Sequence, residues 1–289
     1  LNVTIVAKKF GGQLTETIGI ENFISTPYTT GKELTDDLRR HSSHYKITTK
    51  EHVSITNIQP GNIKTVTLST GEIFKTKTII IATGAKWRTL NVPGEKELIG
   101  KGVAYCPHCD GPFYQGKDVV VVGGGNSGVE AAIDLSKIAK SVKVIEFLPF
   151  LKADKILRDK ARSLNNTSFI LNSQIQTISD KNGKVSGIVY IDKSTNEIYH
   201  LETSAVFVQI GLTPNSKFVK GVVKLNSYNE IIINDKCETS QPGIFACGDV
   251  SSIPHKQIIV SMGNGASAAL SASDYLIKNE NNITTPELK

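Results

Sequence analysis

Residues 118–146 read DVVVVGGGNSGVEAAIDLSKIAKSVKVIE, and this stretch decides the fold. The β-branched run 119–122 suits a strand buried on both faces of a parallel sheet. Gly123-Gly124-Gly125-Asn126-Ser127-Gly128 follows at once. A helical pattern then runs to about Ala139, with Val129, Ala132, Ile133 and Leu135 as its apolar positions. Residues 141–147 return as a second strand that carries Glu146 at its end. Strand, Gly-rich turn, helix and strand within about 30 residues form the unit that holds a dinucleotide. Gly123 permits the tight turn, Gly125 lets the backbone approach a pyrophosphate, and Gly128 allows close helix–strand packing. Asn126 and Ser127 complete the loop at a helix N-terminus whose unpaired N–H groups face phosphate. The other reading of the loop, a Gly-rich turn without a ligand, does not account for the complete context.

Glu146 bears on which dinucleotide is held. A carboxylate there can accept hydrogen bonds from ribose hydroxyls but repels a 2′-phosphate, and residues 147–150 contain no Arg. NADH is therefore expected rather than NADPH. A solvent-facing acid at a strand end is the alternative. Outward from this unit, residues 2–7 (NVTIVA) line up with 141–146 as the second strand of another such unit, whose opening strand, turn and helix are not in the sequence. Residues 77–84 (KTIIIATG) and 243–249 (GIFACGD) read as further buried strands. The expected architecture is α/β, with two Rossmann-like three-layer nucleotide-binding domains, one inserted into the other. Residues 1–86 and 213–289 make the first, lacking its first βα element, and residues 87–212 make the insert.

Cys106-Pro107-His108-Cys109 precedes the Gly-rich loop in the same segment. Two residues between thiols allow a small disulfide ring at a helix start, where the helix dipole lowers a thiolate pKa and His108 can stabilise it. Zinc would need a second ligand pair, and Cys237 and Cys247, with nine residues between them, are poorly spaced for it. No metal site is expected, although metal and an inert structural pair remain the competing readings of the motif. Cys247 reads as a small buried residue. The 289 residues are 39% hydrophobic and 21% charged, a globular composition. No run approaches the roughly 20 apolar residues of a membrane helix. The formal net charge of +6 is spread along the chain rather than gathered into a stripe, which argues against a nucleic-acid partner. Four cysteines and no signal-peptide pattern point to the cytoplasm. Asn-x-Thr triplets at Asn2, Asn165 and Asn282 read as chance, and the Asn-rich tail after Tyr275 is expected to fray.

Taken together, residues 106–111 (CPHCDG) and 123–130 (GGGNSGVE) resemble the low-molecular-weight thioredoxin reductase group of pyridine nucleotide-disulfide oxidoreductases. With 82–88 (ATGAKWR), 236–239 (KCET) and 256–259 (KQII), the likeness is greatest to the flavoprotein components of alkyl hydroperoxide reductases. The resemblance covers essentially the whole chain. It implies an FAD-dependent enzyme that takes electrons from NADH through FAD to the Cys106–Cys109 disulfide and on to a peroxiredoxin. Thioredoxin- or glutaredoxin-like dithiols would relay them, and the enzyme would be a homodimer. Carried over by position, flavin contacts fall on Gly11, Gly12, Gln13, Asn22, Thr83, Gly84, Gly248, Asp249, Gln257 and Ile258, and Gly211 joins the cofactor set. The resemblance further implies that Cys109 faces the flavin, Cys106 attacks the partner's disulfide and Asp110 moves the proton. On residue chemistry alone, the alternatives are an ordinary turn at Gly11-Gly12 and a helix N-cap for Asp249.

Three departures from the family pattern stand out. No Gly-rich loop for the FAD pyrophosphate is in the sequence, so weak FAD binding is expected of the chain as given. Nothing corresponds to an N-terminal dithiol domain. Lys8 replaces an acid near the adenosine. A stand-alone thioredoxin reductase is the alternative within the enzyme class, though its members usually carry basic residues at the position of Glu146. A non-catalytic nucleotide-binding fragment is the alternative outside it.

Overall fold

In the computed structural model, which describes residues 1–17 and 19–279, the strand Asp118–Val122 is the centre of a five-stranded parallel sheet. Across that sheet the order is Thr167–Ile170, Ser141–Ile145, Asp118–Val122, Ala205–Val208 and Val103–Ala104. Four consecutive valines occur because both faces of this strand are covered. Val119 and Val121 pack with Val129, Ala132 and Leu135 of the helix Asn126–Leu135. Val120 and Val122 pack on the other side with Ile175, Ile178, Val185 and Ile188. Those residues belong to a three-stranded antiparallel sheet of Ser173–Lys181, Lys184–Asp192 and Ile198–Glu202. Helix, parallel sheet and antiparallel sheet are thus three layers.

The helix after the Gly-rich turn ends at Leu135, short of the expected Ala139. Ser136 Oγ bonds back to the Ile133 carbonyl at 2.6 Å, and the Asn166 carboxamide takes the carbonyls of Ser136 and Ala139. One local side chain, Ser136, and one from a distant segment, Asn166, therefore take carbonyls at the helix end. The strand that follows stops at Ile145 rather than 147, leaving Glu146 in the turn beyond it.

By chain contacts the protein forms two units, Leu1–Thr17 with Glu21–Lys86 and Thr213–Lys289, and Ile18–Ile20 with Trp87–Leu212. The second is the one just described. The first holds two parallel strand pairs, Thr4–Ala7 with Thr48–Glu51 and Ile79–Ile81 with Ile244–Ala246. It also holds an antiparallel sheet of Ile55–Gln59, Lys64–Leu68 and Ile73–Thr76, and the helices Gly31–Ser43 and Ile258–Lys278. Ile58, Leu68, Ile81, Val219, Ile231 and Ile244 lie in its core. The expected strand at 77–84 is only Ile79–Ile81, and Ile80 is 41% exposed, because a two-strand pair leaves part of each strand uncovered. Lys64 is fully buried, its Nζ without a hydrogen-bond partner among the described residues and 5.2 Å from the Tyr275 ring. The last helix runs through Lys278, past the expected start of the tail, and Asn282 lies outside the described residues. No helix among the described residues is long and apolar enough to cross a membrane.

Candidate active site

The Gly-rich turn is shaped by steric necessity. Gly123 has φ 120°, and a Cβ there would strike the Gln209 carbonyl. A Cβ on Gly128 would run into the carbonyl of Gly123, so the helix sits against the turn only because residue 128 has no side chain. Gly125 differs: its φ of −80° suits any residue, it precedes the helix as N-cap, and no atom lies within 4 Å of where its Cβ would be. That open face above a helix N-terminus is where an anion can approach the backbone. Asn126 is already engaged, donating to Asp154 Oδ2 at 3.0 Å and accepting the Asp154 N–H at 2.8 Å. Ser127 is exposed in the first helical turn. The Glu146 carboxylate accepts the N–H of Gly124 and, at 2.9 Å, the N–H of Leu148. Acid and loop are therefore in direct contact. Lys193 stands beside them, its ammonium 3.0 Å from the Phe147 carbonyl and 3.3 Å from that ring's centre. No sequence signal marks Lys193, which lies 46 residues from its partner. Gly211, at φ 99°, follows the neighbouring strand, and its carbonyl accepts the Arg88 N–H at 3.0 Å.

Cys106 and Cys109 are joined as a disulfide with Cα atoms 5.3 Å apart. Cys106 is the N-cap of a single helical turn, Pro107–Asp110, and its Sγ accepts the Cys109 N–H at 3.2 Å. Pro at the first helical position presets the turn and lacks the N–H that would otherwise go unpaired. Burial raises the Asp110 carboxyl to about 6, partly offset by a backbone hydrogen bond at Cys106. It can therefore carry a proton in the range where thiol exchange needs one. His108 is exposed, with Nε2 3.9 Å from Asp134, which is paired with Lys137 at 2.7 Å. The other two cysteines, Cys237 and Cys247, are free and buried, and burial pushes the Cys247 thiol up to about 11.

In the first unit, Gly11 and Gly12 have φ of 79° and 50° and open the turn Gly12–Glu16, which contains Gln13. A Cβ on Gly11 would collide with Thr35, whereas Gly12 faces open space. Asn22 Nδ2 donates to Gln257 Oε1 at 3.0 Å, joining two positions far apart in the chain. Thr83 and Gly84 are clasped by Asn215. Thr83 Oγ1 donates to its carbonyl at 2.9 Å, and Asn215 donates to the carbonyls of Thr83 and Gly84 at 2.8 and 2.9 Å. Gly248, at φ 69°, gives its N–H to Asn264 Oδ1 at 2.8 Å, and Ser261 Oγ donates to Asp249 Oδ1 at 3.2 Å. Burial raises the Asp249 carboxyl, opposed by Ser261 and by the charge of Lys256. Asp249 lies in the one-turn helix Gly248–Val250, while Gln257 is the N-cap of the long helix that begins at Ile258. Lys256 fixes that start through Glu230 at 2.9 Å and the Ser251 carbonyl at 2.5 Å. Sequence reasoning did not find Asn215, Asn264, Ser261 or Glu230, because each acts through a partner distant in sequence or on another element.

The model of the pyridine nucleotide-disulphide oxidoreductase family matches residues 1–270. The chain belongs to this family. Among curated relatives, it is 48% identical over 282 residues to an NADH dehydrogenase of Ferdinandcohnia aciditolerans, covering 98% of the chain and 53% of that protein. To the F component of alkyl hydroperoxide reductase from Escherichia coli it is 47% identical over 278 residues, 95% of the chain and 53% of the relative. The chain thus spans about half the length of these relatives. Among solved structures, thioredoxin reductase from Streptococcus pyogenes superposes with a TM-score of 0.88 at 32% identity, covering 95% of this chain and 98% of that one. The family resemblance read from CPHCDG and GGGNSGVE and the α/β fold are thereby confirmed.

Proposed function

We propose that the chain is the catalytic part of an NADH-dependent flavoprotein disulfide reductase that supplies electrons to a peroxiredoxin, as in alkyl hydroperoxide reductase systems. The observation that carries this is the Cys106–Cys109 disulfide, which follows a strand of the same parallel sheet that bears the Gly-rich loop. Residues 87–212 form the NADH-binding domain in this reading, and residues 1–86 with 213–289 form the FAD-binding domain. The open face at Gly125, the N-terminus of the following helix and the Glu146 carboxylate fit pyrophosphate and ribose. The left-handed glycines at 11, 12, 84 and 248, the Asp249 carboxylate and the helix start at Gln257-Ile258 fit close backbone contact with FAD. When bound, FAD supplies the relay between NADH and the disulfide. Cys109 is the thiol on the flavin side and Cys106 the one that attacks the partner's disulfide. Asp110 holds the proton that each exchange delivers or removes. The partner is reached through a thioredoxin- or glutaredoxin-like dithiol. The working form is a cytoplasmic homodimer.

Thioredoxin reduction is the second reading, favoured by the Streptococcus pyogenes neighbour. Glu146 in contact with the Gly-rich loop speaks for NADH and against it. The test is the visible spectrum of the purified chain before and after anaerobic NADH. A flavin spectrum that bleaches with NADH and returns on adding a peroxiredoxin in its disulfide form, together with a dithiol carrier, supports the proposal. Bleaching by NADPH alone supports the thioredoxin reading. A protein that binds neither flavin nor nicotinamide overturns both.

A further inference from the structure

We infer that Gln209 is a positioning residue for the cysteine pair and acts through Tyr105. This rests on the redox reading above and names what anchors the disulfide to the sheet. The strands Val103–Ala104 and Ala205–Val208 are parallel neighbours, with Val206 opposite Val103 and Phe207 opposite Ala104. One step further on, where the chain leaves for Cys106, Gln209 Nε2 donates to the Tyr105 carbonyl at 2.8 Å. A side-chain amide thus extends the pairing past the end of the backbone ladder. The Gln209 backbone faces the other chemical segment. Its N–H donates to the Val122 carbonyl at 2.7 Å, and its own carbonyl lies against Gly123. One residue therefore touches both the entry to the Gly-rich loop and the residue before Cys106.

Tyr105 is restrained on two further sides. Its hydroxyl donates to Glu95 Oε1 at 2.9 Å, and its ring stacks on Trp87 with centroids 6.0 Å apart and planes 20° from parallel. Glu95 is fully buried and also accepts the N–H groups of Leu90 and Asn91 at 2.8 and 2.7 Å, so the anchor cannot shift. A reactive group is held in productive geometry when the residues behind it are themselves locked by hydrogen bonds. Here the held quantity is the backbone of Cys106, at φ −117° and ψ 101°, which aims its Sγ at the Cys109 N–H. In the reduced pair that N–H stabilises the Cys106 thiolate. Without the Gln209 bond, the Tyr105 carbonyl loses its tether to the neighbouring strand and the thiolate loses part of this support.

The test compares wild type with Gln209→Met, which keeps length and bulk, and Gln209→Glu, which keeps shape but loses the donor. The chain is reduced with dithiothreitol, and iodoacetamide alkylation of Cys106 is followed against pH by mass spectrometry. In both variants the Cys106 profile moves to higher pH. Its rate below the thiol pKa falls about fivefold, the worth of one neutral hydrogen bond. His108 and Asp110 on the same turn, Tyr114 after it, and Asp134 with Lys137 are common to all three proteins, whereas Gln209→Glu adds a carboxylate, so the uncharged Gln209→Met decides the outcome. A Gln209→Met profile that superimposes on wild type overturns the inference. If the melting temperature of Gln209→Met drops, the profiles are compared at a temperature where both proteins are fully folded; a shift there supports the inference and superposition overturns it. Neither NADH nor FAD enters the assay, so failure of NADH-driven turnover counts against the proposed function alone.

Discussion

The surroundings of Asp110 change its chemistry. Burial raises its carboxyl from 3.8 to about 6, so between these values the folded chain binds more protons than the unfolded one. Stability contributed by this group is therefore lost as pH rises through that window. Asp110→Asn removes the titration. Relative to wild type, it should gain about 1–2 kcal/mol at pH 7, part of the full effect being screened by solvent, and almost nothing at about pH 3. Urea unfolding at the two pH values measures the difference, and an equal effect at both would mean that the carboxyl titrates normally. In the proposed mechanism the same substitution also removes the proton donor, so disulfide turnover should fall about a hundredfold or more. The type of residue and its place beside CPHC were legible in the sequence; the burial that raises it was not.

At the scale of the element, the Gly-rich turn separates two kinds of glycine that look alike in GGGNSG. Gly128 is required by packing, since its Cβ would enter the Gly123 carbonyl; Gly125 has open space in front of it. Gly128→Ala should cost about 1–3 kcal/mol by overpacking and weaken NADH as the helix shifts. Gly125→Ala should leave the melting temperature unchanged and weaken NADH about tenfold or more, ~1.4 kcal/mol, by crowding the pyrophosphate. Calorimetric melting and NADH titration of the two variants decide it. Equal loss of stability in both would refute the distinction. The valine run and the turn were readable because a doubly covered strand leaves no polar position. The early end of the helix at Leu135 was not, because Asn166, the residue that caps it, comes from a segment 27 to 30 residues away.

For the whole molecule, the division into two units has a measurable consequence. Both hydrophobic clusters of the parallel-sheet unit, from Leu98 to Val208, and the apolar residues packed on them fall between residues 87 and 212. That segment has its own core and should fold cooperatively when expressed alone, as a domain does. It should bind NADH with the whole chain's affinity to within about threefold, or ~0.7 kcal/mol. A fragment that melts without a transition would mean that residues outside it complete its core.

Residues 118–146 by themselves determined the dinucleotide unit, because glycine geometry, strand burial and the trailing acid are all local demands written within one stretch. CPHC likewise spaced two cysteines so that they can close a small disulfide ring. What only the tertiary structure decided is which groups hold these motifs. Asn215 on Thr83-Gly84, Asn264 on Gly248 and Gln209 on Tyr105 are ordinary polar residues whose partners are brought to them by folding. Lys64 is the converse: a charged side chain in the strand Lys64–Leu68 that the fold buries completely. A hydrogen-bond partner or a covering layer across the fold has no periodicity and no fixed spacing, so it leaves no mark in the sequence until the strands are in register.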